Sequence, residues 1–293
     1  MNMNISLYSI IAGSEACNAR CPYCVSKMTP NQGLDIHEPE INWRNFSKGA
    51  LLAKDARVNT VMLTGKGEPT LFPEQITRYM KALTPYNFPF IELQTNGLRF
   101  HYDKEKMLPY LKEWYELGMT LIAISVVHHD PEKNRDVFTP HMKEYIDIPG
   151  VVKMLHDEKY SIRLSCVMAD GYIDSPGRLE EMISFSMSNK VEQLTIRPIN
   201  KPGKSRCSET KKWVDDNHLK EGQLDSIARY LESKGTLLLS LPHGGAVYDV
   251  EGQNICLTNS LTLSRDTDMI RQLIFFPDGH LRYDWQHEGA VLL

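Results

Sequence analysis

The sequence predicts an α/β fold: an open, partial (β/α)6 TIM-like barrel followed by a small C-terminal α+β extension. Three observations carry this. Six short apolar runs, rich in β-branched and aromatic residues, recur along residues 1–200, as buried parallel strands do. Segments with apolar residues at helical spacing separate them, and such alternation implies parallel strands joined by right-handed crossovers. After Pro198 the alternation stops. Six units fall short of the eight that close a full barrel, so the expected sheet is open, with its chemistry on loops at the carboxyl ends of the strands.

The expected strands are Ile5–Ile11, Thr60–Leu63, Phe90–Gln94, Leu121–Val126, Ser161–Val167 and Gln193–Pro198. Between them, Met107, Leu108, Leu111 and Trp114 share one helical face, as do Val151, Val152 and Leu155, and Leu179, Met182 and Ile183. Pro73 suits the first turn of a helix, while Asn96-Gly97 and Gly118 mark breaks. Beyond Pro198, Lys201-Pro202-Gly203-Lys204 reads as a loop. A helix carrying Leu224, Ile227 and Leu231 then ends at Gly235. Leu237–Leu241, Leu261–Leu263, Gln272–Phe276 and His280–Trp285 follow as strands, the last two flanking the turn Pro277-Asp278-Gly279. The division is therefore a core over 1–200 and an extension over 201–293 that covers the barrel or its substrate side.

The 293 residues are 42% hydrophobic and 24% charged, with a formal net charge of −4. No long basic run indicates a nucleic-acid partner, and no apolar run is long enough to span a bilayer. Met1-Asn2-Met3-Asn4 places no positive region ahead of Ile5–Ala12, which reads as a strand and not a signal peptide. A cytoplasmic protein is expected, and in that setting six cysteines do not suggest a disulfide framework. There is no Ser-His-Asp arrangement, no P-loop and no carboxylate pair with acid–base spacing, so the chemistry falls to a cofactor.

Three cysteines lie within eight residues, in Cys17-Asn18-Ala19-Arg20-Cys21-Pro22-Tyr23-Cys24, directly after the first strand. Thiolates this close can converge on a soft metal centre. Zinc would need a fourth ligand, which no Cys-x-x-Cys pair or histidine cluster supplies. Three cysteines on a cubane of four irons would leave one iron open. The spacing resembles that of the radical S-adenosylmethionine (SAM) superfamily. The resemblance implies a single [4Fe-4S] cluster held by Cys17, Cys21 and Cys24. It also implies SAM chelated to the open iron, reductive cleavage to a 5′-deoxyadenosyl radical, and Tyr23 beside the adenine.

After the second strand, Thr64-Gly65-Lys66-Gly67-Glu68-Pro69-Thr70 resembles the family's Gly-Gly-Glu loop, with Lys66 in place of the first glycine. Gly65, Lys66, Gly67, Glu68 and Pro69 are thereby cofactor-binding candidates. Glu68 is the expected receptor of the methionine ammonium, because a carboxylate accepts charge-assisted hydrogen bonds. Gln94-Thr95-Asn96-Gly97 looks like the Thr-Asn-Gly that follows strand three in many members, and it is also a turn by Asn-Gly chemistry alone. The run Ser125-Val126-Val127-His128-His129-Asp130-Pro131-Glu132 resembles the Ser-Leu-Asp segment of the molybdenum-cofactor cyclase branch, with Val127 at the position of the Asp. That match puts Ser125 near the methionine carboxylate or the ribose, and Ser165 near the ribose. His128 and His129 can bind substrate or move a proton; equally, they can cap the next helix or face solvent. Arg197 ends strand six. Its guanidinium can grip a carboxylate or phosphate, or join a structural ion pair with a barrel carboxylate. Arg197, His128 and His129 are the candidate catalytic residues.

The tail has only Cys207 and Cys256, and the Phe276–Trp285 hairpin carries no cysteine. No second cluster is expected. The leading function is hydrogen abstraction from a small-molecule or nucleotide-type substrate, with an electron donor such as flavodoxin or ferredoxin. Radical modification of a peptide or protein, including glycyl-radical activation, is the alternative within enzymes. A non-catalytic iron–sulfur sensing module is the alternative outside them.

Overall fold

The computed structural model describes residues 4–199, 201, 205–241, 244–258 and 269–293. The first six strands are β1 (Asn4–Ile11), β2 (Thr60–Thr64), β3 (Phe90–Thr95), β4 (Leu121–Val126), β5 (Ser161–Met168) and β6 (Gln193–Pro198). Helices α1 (Val25–Met28) and α2 (Trp43–Asp55) follow β1; α3 (Pro73–Leu83) follows β2; α4 (Leu98–Tyr102) and α5 (Lys104–Glu116) follow β3. Next come α6 (Pro131–Phe138) and α7 (Ile148–Asp157) after β4, and α8 (Pro176–Ser188) after β5. Neighbouring strands from β1 to β6 pair in sequence order and all run parallel.

Paired residues of parallel strands point to the same side of the sheet, so the register separates two faces. One face carries Tyr8, Ile10, Val61, Leu63, Leu93, Ile122, Ile124, Ile162, Leu164, Leu194 and Ile196, all essentially inaccessible to solvent. The helices cover this face with the apolar stripes expected of them. Met107, Leu111 and Trp114 of α5 are fully buried, and so are Leu179 and Met182 of α8. Trp114 also ties α5 to α3, its Nε1 donating to Thr77 Oγ1 at 2.8 Å. Burial of each such side chain stabilises the fold by about 1.5–3 kcal/mol.

The opposite, inner face is polar. Gln94, Ala123, Arg163, Gln193 and Asn254 form one row across it, and Ser125, Ser165, Thr195 and Cys256 form the next. This is the sheet's chemical face, because helices carry the hydrophobic load on the other side.

The extension contributes α9 (Ser208–Asn217), α10 (Gln223–Lys234), β7 (Thr236–Ser240), β8 (Ala246–Val250), β9 (Gln253–Leu257), β10 (Met269–Phe275) and β11 (Leu281–Arg282). Its strands join both edges of one sheet in the order β11-β10-β1-β2-β3-β4-β5-β6-β9-β8-β7. Because β10 runs parallel to β1 and β9 parallel to β6, the parallel run reaches from β10 to β9. It does not close: the outer neighbours of β10 and β9 are the antiparallel strands β11 and β8.

The hairpin β8–β9, absent from the expected elements, turns at Glu251 and Gly252, both with positive φ (54° and 91°), the backbone that tight hairpins demand. The expected strand His280–Trp285 shortens to Leu281–Arg282, because Asp284 Oδ1 accepts from the backbone of Gln286 and His287 at 2.7 and 2.8 Å and starts a turn. The expected strand Leu261–Leu263 and most of the Lys201–Lys204 loop lie outside the described residues.

Candidate active site

The cysteine loop leaves β1 and is held against the Gly65–Glu68 loop by backbone hydrogen bonds. Gly67 N donates to Ser14 O and Glu68 N to Ala16 O, both at 2.9 Å. Gly67 makes this approach possible: a Cβ there would collide with the Ala16 carbonyl and sit 2.7 Å from Ser14 O. Further along, Arg20 N donates to Phe138 O at 2.8 Å, and Cys24 leads into the single turn of α1.

Cys17 is exposed, and Cys21 and Cys24 are half-buried; none is in a disulfide. Desolvation and the nearby negative charge of Glu68 push the Cys17 thiol up to about 11. Burial, then Cys24 and Cys17, push Cys21 up as well. Burial, Glu68 and the neighbouring sulfurs thus oppose the ionisation of Cys17 and Cys21. A cationic centre that takes thiolates removes this opposition, and three soft donors on one loop suit an iron–sulfur cluster.

Glu68 is buried and fixed by four hydrogen bonds. Its Oε1 accepts from Thr70 N (3.1 Å), Thr70 Oγ1 (2.6 Å) and Thr95 Oγ1 (2.6 Å), and its Oε2 accepts from Asn96 N at 2.9 Å. Burial raises its pKa, and these donors partly offset the rise. Oε2, with one donor, keeps room for another. Asn96 extends the network to the cysteine loop, its Nδ2 donating to Asn18 Oδ1 at 2.7 Å. Glu68, Asn96 and the cysteines are thereby parts of one hydrogen-bonded unit. Pro69 opens the short 3-10 turn Pro69–Leu71 that presents Thr70 to Glu68.

Ser125 and Ser165 are direct register partners on the inner face, with Thr195 next in the row. Tyr23 packs against Phe138 at 6.4 Å and against Trp213 of α9 at 5.7 Å between ring centroids. Among the titrating groups around Tyr23 are Cys21, Arg197, Cys166 and Tyr145. Lys66 is 4% exposed. Its Nζ donates to Thr29 Oγ1 at 2.6 Å and lies 5.8 Å from the Trp285 ring. Burial lowers its pKa to about 8, against the pull of Glu15 and Cys24.

His128 and His129 turn elsewhere. Asn134 pins their loop, accepting from Val127 N at 2.9 Å and donating to His128 O at 2.6 Å. His128 Nδ1 accepts from Asp130 N at 3.0 Å, while Asp130 caps α6 through Glu132 N. The two ring centroids lie 4.3 Å apart with the planes tilted by 34°, and His129 faces Phe185 and Glu181 of α8. Burial and the neighbouring His129 lower His128 to about 4, so it is neutral at physiological pH. Among the described residues no contact joins this pair to the cysteine loop.

Several site residues carry no signal in the sequence. Thr70 and Thr95 sit inside the matched segments without distinguishing themselves. Trp213 and Trp285 reach Tyr23 and Lys66 from the extension, where local pattern says nothing of distant contacts.

The radical SAM superfamily model matches residues 11–182. The chain belongs to the radical SAM superfamily. Members of that superfamily use a [4Fe-4S] cluster and SAM. No curated protein sequence matches it. SuiB of Streptococcus suis, solved bound to S-adenosylmethionine, superposes with a TM-score of 0.60 at 14% identity, covering 95% of this chain and 60% of SuiB. Methylornithine synthase (PylB) gives 0.52 at 16% identity, covering 91% and 74%. anSMEcpe with bound AdoMet gives 0.51 at 15%, covering 78% and 61%. At these identities the likeness is one of fold, an open parallel barrel. The chain spans about 60% of the length of SuiB. Among the described residues no helix is long and apolar enough to cross a membrane.

Proposed function

We propose that this chain holds one [4Fe-4S] cluster on Cys17, Cys21 and Cys24 and binds SAM across Glu68, so that hydrogen is abstracted from an organic substrate seated on the inner face of the sheet. The observation that carries this reading is the clamp between the two loops: Ser14 and Ala16 carbonyls accept from Gly67 and Glu68, which sets the thiols and the buried carboxylate in one site. When bound, the cluster supplies the electron that breaks the sulfonium, and SAM supplies the 5′-deoxyadenosyl radical.

The chain's own residues bind and orient. Glu68 Oε2 takes the methionine ammonium on its free side while Thr70, Thr95 and Asn96 hold the carboxylate still. Asn96 keeps the cysteine loop in register with it through Asn18. Tyr23, walled by Phe138 and Trp213, offers an aromatic edge for the adenine. Ser125 and Ser165 present hydroxyls to the ribose side from adjacent strands. A flavodoxin- or ferredoxin-type donor in the cytoplasm belongs to the same reading.

The test is anaerobic reconstitution, which should give about four irons per chain. Dithionite should then yield 5′-deoxyadenosine and methionine, slowly without substrate. Cys17→Ala, Cys21→Ala or Cys24→Ala should each abolish both. A reduced, cluster-loaded protein that binds SAM and never forms 5′-deoxyadenosine would sink the proposal in favour of an iron–sulfur sensing module.

A small-molecule or nucleotide-type substrate is the first reading. A peptide substrate is the second, and one observation favours it: SuiB bound to precursor peptide SuiA superposes with a TM-score of 0.55. Substrate-stimulated SAM cleavage, measured with small molecules and with peptides, separates the two.

A further inference from the structure

Two arginines stand on the inner face of neighbouring strands, and among the described residues one of them has a counter-ion. Arg163 of β5 donates from Nη2 to Glu92 Oε1 at 2.7 Å, and the side chains are 19% and 9% exposed. The structural ion pair with a barrel carboxylate that the sequence allowed for Arg197 is thus made by Arg163. Arg197 of β6 lies two rows nearer the carboxyl ends of the strands, at the level of Val167, whereas Arg163 is level with Gln193.

Among the described residues Arg197 makes no ion pair, no hydrogen bond and no stacking contact with an aromatic ring. The titrating groups that act on it are Tyr23, Arg163 and Cys166, with Arg271 of β10 a further positive charge, and among the described residues no carboxylate joins them. Arg197 is half-buried, and its surroundings desolvate it enough to push its pKa down. A partly desolvated guanidinium with no carboxylate partner favours an anionic ligand. Its planar fork matches two geometries, a carboxylate and a phosphate.

The position identifies the ligand's owner. Tyr23 stands between Cys21 and Cys24 in sequence, so an anion on Arg197 lies beside the cysteine loop. Thr195 and Ser165 offer hydroxyls one row below. Glu68, the receptor assigned to the methionine ammonium, is occupied on the far side by Thr70, Thr95 and Asn96.

We infer that Arg197 anchors a carboxylate or phosphate group of the substrate, so that the substrate class is an organic anion. The inference deepens the proposed radical reaction and rests on it for the word substrate.

The experiment uses full-length, cluster-loaded, oxidised protein, and so does not depend on SAM cleavage. Inorganic phosphate and 13C-acetate are titrated separately at constant ionic strength, with binding read from line broadening of the 31P and 13C resonances. The wild type should bind at least one of the two saturably, and which one tells phosphate from carboxylate. In Arg197→Gln the dissociation constant should rise by about tenfold or more. In Arg197→Lys it should rise less, because the charge stays and the fork is lost. If Arg197→Gln does not fold, Arg197→Lys against the wild type carries the comparison. No binding by the wild type, or equal affinity in the variants, overturns the inference. Displacement of the anion by saturating SAM also overturns it, assigning the guanidinium to the methionine carboxylate. Anion binding by a wild type that cannot cleave SAM supports the anion site and defeats the radical reading instead.

Discussion

Thr95→Val isolates one strut of the Glu68 network. Valine keeps the volume and the β-branched shape that suits the end of β3, and removes only the hydroxyl. Two interactions go with it: the 2.6 Å donation to Glu68 Oε1 and the 3.0 Å acceptance from Gly97 N. The first is charge-assisted in a buried place, worth about 1.5–3 kcal/mol, and the second about 0.5–1.5 kcal/mol. A loss of about 2–4 kcal/mol at neutral pH is expected. For 293 residues the unfolding entropy is about 0.6 kcal/mol per kelvin, so Tm should fall by about 3–7 °C. The loss should depend on pH, with a definite sign. The Glu68 pKa is raised by burial, so the folded state favours the protonated carboxyl. The resulting stability is fully present below the unfolded value, about 4.3, and is lost as pH rises through the folded value. Removing a donor that favours the carboxylate raises the folded pKa further. The variant should therefore lose little at acid pH and most at neutral pH. Urea unfolding of wild type and variant across that range is the assay. A pH-independent difference, or one under about 0.5 kcal/mol, would show that Thr95 does not hold Glu68.

Gly67→Ala should push the cysteine loop away, because its methyl meets the Ser14 and Ala16 carbonyls; iron retained after reconstitution should fall several-fold, with the fold intact by circular dichroism. Wild-type iron content in Gly67→Ala would refute the clamp. Lys66→Met should keep the packing on Trp285 while removing an ammonium whose pKa is lowered to about 8. With its unfolded value near 10.4, the unfolded wild type binds more protons between about pH 8 and 10.4, so its stability contribution from Lys66 rises with pH over that window. The rise should be absent from the Lys66→Met stability profile.

Much of the fold is legible because β1 to β6 each turn a largely apolar side toward the helices; the expected ends differ from the observed ones by at most one residue. The hairpin β8–β9 was hidden for a local reason. Its strands are short and interrupted by Asp249 and Asn254, and the Glu251-Gly252 turn is a weaker signal than Pro277-Asp278-Gly279. The expectation that the extension covers the barrel carried no strand pairing, since pairing of β10 with β1 is a contact between segments far apart in the chain. At the site, the cysteines and Glu68 stand out by spacing. The partners that immobilise Glu68 do not, because Thr95 is 27 residues away in sequence. The histidine pair illustrates the limit from the other side. It follows Ser125 by only a few residues, yet the Asn134 hydrogen bonds rotate the chain and deliver both rings to α8.

The seating of β1 between β2 and β10 bears on how the chain assembles as it is synthesised. β1 finds β2 soon after emerging, and the loops that clamp Ser14 and Ala16 to Gly67 and Glu68 belong to the same early stretch. The other edge of β1 stays unpaired until Met269–Phe275 has been made. Such long-range parallel pairing is slow, and an open apolar edge is prone to join other chains. The strand beside the cysteine loop is thus covered on one edge by an early segment and on the other by a late one, so a chain that stops short of β10 exposes an apolar edge open to aggregation.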